Sequence, residues 1–269
     1  SAPIMFIPKP AGGHRVVCDW RALNALTIKN KYPLPRIDDT LDKLGSAKIF
    51  SSLDLNSGYY QIRISEEDAH KTAFTTPMGL YEFKVLGQGL ANAPATFQAV
   101  MNHIFAPCLN KFVVVYLDDI LVFSDTPEQH MHHLQIVMDI LKENKFYAKP
   151  EKCQFGLKEI KFLGHIVGNG GVKPDPAKVQ AVQEWPVPKT AQEVRQFLGL
   201  ANYFRRFIKD YAGIADPLIQ LTSKASDVAR QWSERHDHAF TSIKQALSSA
   251  PLLVHPDFSK PFELVSDAS

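Results

Sequence analysis

The chain has 269 residues, 45% of them hydrophobic and 22% charged, with a formal net charge of +2. That composition supports one large or two ordinary folded domains and excludes a disordered or fibrous chain. No run of about eighteen residues is apolar throughout, so no membrane span is expected, and the three scattered cysteines, Cys18, Cys108 and Cys153, point to neither a disulfide framework nor a zinc site.

In chain order, residues 1–31 read as short strands around the turn Ala11-Gly12-Gly13. Tyr32-Pro33-Leu34-Pro35 breaks regular structure, and a helix is expected from Ile37 to Leu44, stopped by Gly45. The run Ile49 to Leu55 predicts a strand ending in a loop at Asp54, and Gln61-Ile62-Arg63-Ile64 alternates as a half-exposed strand would. Residues 72–86 read as a hairpin turning at Pro77-Met78-Gly79. Residues 92–106 have helical spacing, with Asn92 as the expected cap and Pro94 in the first turn.

Lys111 to Leu117 is β-branched and aromatic, Asp118-Asp119 interrupts it, and Ile120-Leu121-Val122-Phe123 resumes it. This is the pattern of a hairpin with two carboxylates at its tip. A helix follows from Thr126-Pro127-Glu128 to about Asn144. Phe162 to Val167 reads as a short strand, and the Pro/Gly-rich run from Gly168 to Pro176 is the best internal boundary. Thr190-Ala191-Gln192-Glu193 fits a capping box, opening an amphipathic helix expected to reach about Tyr211 with Arg195, Arg205, Arg206 and Lys209 mostly off its apolar stripe. Charge is uneven: an acidic middle, 51–125, lies between basic segments 1–50 and 126–210, as suits a cation site between anion-binding surfaces.

Two adjacent carboxylates at a hairpin tip repel each other and gain nothing from packing. A plain polar turn is the simplest account of Asp118-Asp119 alone. Asp54 ends another apolar strand, and if the two strands are neighbours the carboxylates meet. Clustered carboxylates need cations, and hard oxygen ligands suit Mg²⁺ with bound phosphates. A pair of such ions can clamp the attacking and leaving oxygens of a phosphoryl displacement.

Tyr116-Leu117-Asp118-Asp119 resembles the hairpin motif of reverse transcriptases. Ser52-Leu53-Asp54-Leu55-Asn56-Ser57-Gly58-Tyr59-Tyr60-Gln61-Ile62 resembles their first carboxylate motif, and Gln88-Gly89-Leu90-Ala91-Asn92-Ala93-Pro94-Ala95-Thr96-Phe97 the motif lining their nucleotide pocket. Tyr32 to Asp39, Phe162-Leu163-Gly164-His165 and Phe197 to Tyr203 resemble gypsy-type (metavirus-like) LTR retrotransposons, and the resemblance runs from Pro3 to the last residue. Where gypsy-type elements usually carry Pro-Phe-Gly, this chain has Gly87-Gln88-Gly89; Gln88 is the retroviral choice.

The resemblance implies an RNA-directed DNA polymerase that extends a primer with dNTPs on an RNA or DNA template. It implies an α/β right-hand fold: fingers and palm over 1–168 with an antiparallel palm sheet backed by helices, and a mainly helical thumb over 169–250. Residues 251–269 would be a linker and the first strand of an incomplete RNase H domain, carrying Asp267, and no nuclease activity is expected. Asp54 and Asp118 would hold two Mg²⁺ ions, which Mn²⁺ could replace, with the Leu55 carbonyl helping. Asp119 would share the site with them only in part, because neighbouring strand residues point to opposite faces.

Tyr59 would wall off a 2′-hydroxyl, Lys9 and Arg15 would grip the triphosphate, and Gln88 would touch the sugar or base. Lys152, with Lys149 as its competitor, would protonate the leaving pyrophosphate. Phe162, Leu163 and Gly164 would form the primer grip, and Arg195, Asn202, Arg205 and Arg206 would follow the duplex backbone. The implied setting is the cytoplasm, inside virus-like particles. A decayed or domesticated element that binds nucleic acid without catalysis, and RNA-directed RNA synthesis, are the alternatives; the intact aspartates speak against the first and Tyr59 against the second.

Overall fold

The computed structural model describes residues 1–8, 12–45, 47–223, 227–255 and 260–263, and for Arg15 the backbone alone. Lys9 and Asp267 lie outside the described residues. Residues 1–43 and 47–158 form one compact unit, and 44–46 with 159–269 a second. Among the described residues no helix is long and apolar enough to cross a membrane.

The first unit contains β1 (Ile4–Pro8), β2 (His14–Cys18), α1 (Arg21–Leu26), α2 (Ile37–Asp42), β3 (Ile49–Asp54), α3 (Glu66–Ala69), β4 (Phe74–Thr76) and β5 (Gly79–Tyr81). It continues with α4 (Ala93–Ile104), β6 (Val113–Tyr116), β7 (Asp119–Ser124), α5 (Pro127–Glu143) and β8 (Gln154–Leu157). The main sheet is antiparallel in the order β6-β7-β3-β8. Leu53, Ile120 and Val115 face one another across three strands, and in the same core lie Phe97, Met101 and Phe105 with Val137 and Leu141. Because side chains alternate along a strand, the next row, Asp54–Asp119–Tyr116, projects from the face opposite this helix-covered core.

Several expected elements take another form. Gln61 to Ile64 is not a full strand: a 3₁₀ turn covers Gly58–Gln61, and beyond it a single antiparallel bridge sets Arg63 against Val85, closed by the Leu86 N–H to the Ile62 carbonyl and the Ile64 N–H to the Lys84 carbonyl. Asn92 precedes α4 but makes no capping hydrogen bond; its amide instead accepts from the Asn30 N–H and donates to the Ile28 carbonyl. Thr126 does cap α5, accepting from the Gln129 N–H.

Behind the sheet, α5 carries a buried polar chain. The Gly156 N–H donates to Ser51 Oγ (3.0 Å), which meets His130 Nε2 at 2.7 Å. His130 Nδ1 meets Ser124 Oγ at 2.8 Å, and Ser124 Oγ meets His133 Nδ1 at 2.8 Å. Burial pushes both histidines below the usual 6.5; His133 adds to the effect on His130, and for His133 the neighbour His132 lowers while Asp125 raises. A depressed folded pKa means that the unfolded chain binds more protons on the acid side of 6.5. This contribution is therefore complete above about pH 6.5 and is lost as pH falls through the folded values. In thermal unfolding between about pH 7.5 and pH 5, His130→Gln should lose less of its midpoint than the parent does; equal slopes would refute the assignment.

The second unit contains β9 (Glu159–Phe162), β10 (His165–Gly168), β11 (Gly171–Pro174), α6 (Pro176–Gln183), α7 (Ala191–Tyr203), α8 (Tyr211–Gln220), α9 (Val228–Gln231), α10 (Glu234–Ser248) and β12 (Leu253–Val254). Its antiparallel sheet runs β12-β11-β10-β9. The Gly168–Pro176 run, expected as a boundary, instead belongs to this sheet: β10 and β11 pair across a turn in which Asn169 (φ 51) and Gly170 (φ 75) are both left-handed. That is the backbone a two-residue hairpin needs. Phe162 to Val167 is likewise a hairpin rather than one strand.

Thr190 caps α7 by accepting from the Glu193 N–H, while the Glu193 carboxylate reaches past it to the Lys189 N–H. The helix stops at Tyr203, short of the expected Tyr211. Phe204 and Phe207 turn inward, Arg205–Phe207 forms a 3₁₀ turn, and α8 starts after Asp210 at φ 53. The apolar residues beyond 203 are buried by this turn and by α8, not by a continuation of α7.

Candidate active site

The site begins at the β6–β7 hairpin. Tyr116 and Asp119 pair, so Leu117-Asp118 forms the two-residue turn. Leu117 takes φ 52, a conformation that costs a non-glycine residue roughly 1 kcal/mol or more. It is held there by Gln98, a fully buried side chain on α4. Gln98 Oε1 accepts from the Leu117 N–H at 2.7 Å, and Nε2 donates to the Val115 carbonyl (3.1 Å) and to Asn102 Oδ1 (2.9 Å).

On β3, Asp54 is the register partner of Asp119. Directly opposed residues in an antiparallel pair share a face, with Cβ atoms about 4.5–5.5 Å apart. Register therefore places Asp119, rather than Asp118, across from Asp54; Asp118 sits on the turn beside them. Desolvation by the surrounding protein pushes the Asp119 carboxyl up, and the charges of Asp118 and Asp54 push it further, against Lys152. Among the described residues no three such side chains gather closely enough to enclose a metal by themselves. The set still fits Mg²⁺, which is usually held by one or two carboxylates together with water and substrate phosphate oxygens.

Lys152 Nζ lies 3.0 Å from Asp54 Oδ2, both side chains being partly exposed. Such a pair contributes about 0.2–1 kcal/mol to stability, so its placement matters more than its energy. Lys149, the competing lysine, gives its backbone N–H to the Asp54 carbonyl (2.8 Å). Leu55 bridges to Ala148, and Gln61 clamps the same segments: Nε2 donates to the carbonyls of Asn56 (2.7 Å) and Tyr147 (3.0 Å), and Oε1 accepts from the Tyr147 N–H (2.7 Å).

Tyr59 is half-buried, its ring 5.0 Å from that of Phe97, and burial together with the charge of Asp118 raises its phenol pKa. Gln88 is exposed, and the loop around it is pinned from below. The Trp20 indole N–H donates to the Gln88 carbonyl (3.0 Å), Asn24 Nδ2 to the Gly89 carbonyl (2.9 Å), and Asn24 Oδ1 accepts from the Ala91 N–H (2.8 Å). A Cβ at Gly87 would make only ordinary contact with Trp20, so the departure Gly87 is not forced by space, whereas Gly89 has φ +90 and Trp20 3.2 Å from such a Cβ. Arg15 is on β2 opposite Ile7. Asp19 and Arg21 pair through the guanidinium (2.6 Å), which holds the Asp19 carboxyl at about 2.

In the second unit, Phe162 and His165 close the turn Leu163-Gly164, at φ 46 and 70. The Leu163 carbonyl accepts from the Tyr203 hydroxyl (2.6 Å) and lies 2.6 Å from His165 Nδ1, tying this turn to the end of α7. Asn202 and Arg195 are exposed on α7; Arg205 and Arg206 are on the 3₁₀ turn that follows it.

The chain matches the reverse transcriptase (RNA-dependent DNA polymerase) family over residues 7–167, more than half its length. It belongs to the reverse transcriptase family. Residues 232–269 match an RNase H-like domain found in reverse transcriptase. That match begins in the stretch expected to be thumb and takes in α10 as well as the C-terminal residues.

Over its whole length the reverse transcriptase chain is 43% identical to the retrovirus-related Pol polyprotein from transposon 297 of Drosophila melanogaster. It is 41% identical to that from transposon opus of the same fly, and 39% identical to the transposon Tf2-3 polyprotein of Schizosaccharomyces pombe. It covers 26%, 28% and 20% of these relatives, about a quarter of their length. All three are transposon polyproteins, two of them retrovirus-related Pol polyproteins.

Among solved structures, the foamy viral protease-reverse transcriptase in complex with double-stranded DNA superposes with a TM-score of 0.87 at 28% identity, over 95% of this chain and 45% of that one. The same viral protein with an RNA/DNA hybrid gives 0.81 at 28% identity, over 94% and 34%. The α/β reverse-transcriptase fold follows from these likenesses.

Sequence reasoning missed Gln98 as part of this site, and gave Gln61 and Phe97, though they lie in the quoted motifs, no role of their own. Gln98 left one signal, an amide on the buried stripe of α4 between Phe97 and Met101. A buried amide must be hydrogen-bonded, but nothing local says to what.

Proposed function

We propose that the chain is the DNA-polymerising part of a gypsy-type LTR-retrotransposon reverse transcriptase, an enzyme that extends a primer with dNTPs on an RNA or DNA template. The observation that carries this reading is the opposition of Asp54 and Asp119 with Asp118 on the adjoining turn, in a chain of this family. The first unit would be fingers and palm, and helices of the second unit a thumb. The setting carried over from such elements is the cytoplasm, within virus-like particles.

Asp54, Asp118 and Asp119, with the Leu55 carbonyl, would hold two Mg²⁺ ions, or Mn²⁺ in their place. When bound, these supply a lowered pKa at the primer 3′-hydroxyl and charge neutralisation at the leaving pyrophosphate. Tyr59 would exclude a 2′-hydroxyl, Gln88 would meet the sugar or base, and Lys9 and Arg15 would bind the triphosphate. The Phe162-Leu163-Gly164 turn would hold the primer end, and Arg195, Asn202, Arg205 and Arg206 phosphates of the duplex. Primer extension on RNA and on DNA templates tests the whole; duplex binding without incorporation under Mg²⁺ or Mn²⁺ would mean a nucleic-acid-binding protein instead.

Lys152 would donate the proton that pyrophosphate takes on leaving, and general acids of this kind contribute about 10²–10⁴-fold. Lys152→Ala should lower kcat by about 10²-fold with a much smaller change in the dNTP KM. Lys152→Arg should not restore it, because guanidinium does not give up its proton. Recovery by arginine would reduce Lys152 to an ion-pair partner of Asp54.

A further inference from the structure

We infer that Phe97 and Gly58 are specificity-determining residues, setting the position of the Tyr59 ring and through it the preference for deoxyribonucleotides over ribonucleotides. This rests on the reading of Tyr59 as the wall against a 2′-hydroxyl.

Tyr59 stands in a single 3₁₀ turn, Gly58–Gln61, entered through Ser57 at φ 53. Within the turn the Tyr60 N–H donates to the Ser57 carbonyl and the Ile62 N–H to that of Tyr59, and its end is tied outward, Gln61 to Tyr147 and the Ile62 carbonyl to the Leu86 N–H. A one-turn helix of this kind has poor hydrogen-bond geometry, so it does not by itself fix where a long aromatic side chain ends. Packing has to do so. The partner is Phe97, fully buried, its ring 5.0 Å from that of Tyr59 and tilted by 39°.

Gly58 shows how little slack this contact has. A Cβ there would lie 3.1 Å from Phe97 Cζ, 3.2 Å from Cε2 and 3.3 Å from Leu55 Cβ. Gly58 is not among the glycines of positive φ, so a side chain there would meet crowding by Phe97 and Leu55 rather than backbone strain. Phe97 cannot retreat either, since it lies in the close-packed core with Leu53, Leu55, Met101 and Ile120. The next residue of the same helix, Gln98, supports the turn that carries Asp118. One stretch of α4 thus underlies both the sugar wall and the carboxylate turn, so their relative positions are set by a rigid element.

A wall selects by clash, and its selectivity depends on where the ring stands. Single-nucleotide insertion by the whole chain, with a dNTP and the matching rNTP on a primer–template, reads this as the ratio of their kcat/KM values. Tyr59→Ala should collapse the ratio by about 10²-fold or more, and Phe97→Leu, which lets the Tyr59 ring sink, should lower it by about tenfold through better rNTP insertion. Gly58→Ala should move the ring the other way, toward the nucleotide, raising the KM of the dNTP as well as that of the rNTP. Adding Phe97→Leu to Gly58→Ala should bring the dNTP KM back, because the shorter side chain makes room for the new methyl. Should Phe97→Leu not fold, Phe97→Met makes the same test. If Tyr59→Ala collapses the ratio while Phe97→Leu and Phe97→Met leave it at the parental value, Phe97 has no part in selection and the inference falls. If Tyr59→Ala leaves the ratio intact, the wall reading itself falls.

Discussion

Asp118→Asn should abolish nucleotide incorporation while making the protein more stable. The substitution keeps the size of the side chain and one oxygen but removes a charge from the turn beside Asp54 and Asp119. If that charge holds metal, primer extension should fall by about 10³-fold or more, equivalent to about 4 kcal/mol at the transition state. The same change relieves a repulsion, since Asp118 is one of the charges that push the Asp119 carboxyl up. Thermal unfolding should therefore move upward, the sense expected when a strained functional site is relaxed. Titration of Asp119, followed by carboxyl NMR, should move down toward the ordinary carboxylate range. Parental extension rates would sink the metal assignment, and a lower unfolding midpoint would sink the electrostatic account.

Gln98→Leu should be the most damaging substitution that touches no substrate. It leaves the Val115 carbonyl and the Leu117 N–H without their side-chain partner in a place water does not readily reach. An unsatisfied buried group costs about 1–3 kcal/mol, and Leu117 would lose the contact that holds its left-handed backbone. We expect a loss of stability of that size and a fall in extension rate of about 10–100-fold, since small misplacements of catalytic groups are costly. Gln98→Glu separates the two roles of the amide. A neutral carboxylic acid can still accept from Leu117 and donate to Val115, whereas a carboxylate would face the Val115 carbonyl. Burial raises a carboxyl pKa, so the Gln98→Glu variant should gain activity relative to the parent as the assay pH is lowered. A constant ratio across pH would show that Gln98 merely fills space.

Parts of this site were legible from residues alone because their causes are local. A β-branched run, two aspartates and a second apolar run predict the hairpin of Val113–Tyr116 and Asp119–Ser124. Thr126-Pro127 and Thr190 mark helix starts through side chains that cap their own first turns. Motif resemblance then named Asp54, Asp118, Tyr59 and Lys152 together, and the structure brings all four into the first unit near the β3 and β6–β7 ends.

Local pattern failed where another segment decides the outcome. Gln61-Ile62-Arg63-Ile64 alternates like a strand, yet Gln61 closes a 3₁₀ turn and hydrogen-bonds to Tyr147, 86 positions away, leaving a single bridge at Arg63 where a strand was expected. The apolar spacing after Ala191 continues past Tyr203, but Phe204 and Phe207 are buried by a turn rather than by more helix. Asn92 looks like a cap, and its amide is taken by residues 28 and 30.

The elements that carry the carboxylates could thus be read from the residues, because periodicity, capping and turn chemistry act within a few positions, and the family from the resemblance of the motifs. The folded chain was needed to learn that Asp119 is the residue opposite Asp54, that Gln98 supports the turn and that Phe97 lies against Tyr59. Each of these depends on strand register or core packing between segments far apart in the chain, and neither leaves a periodic trace in either segment.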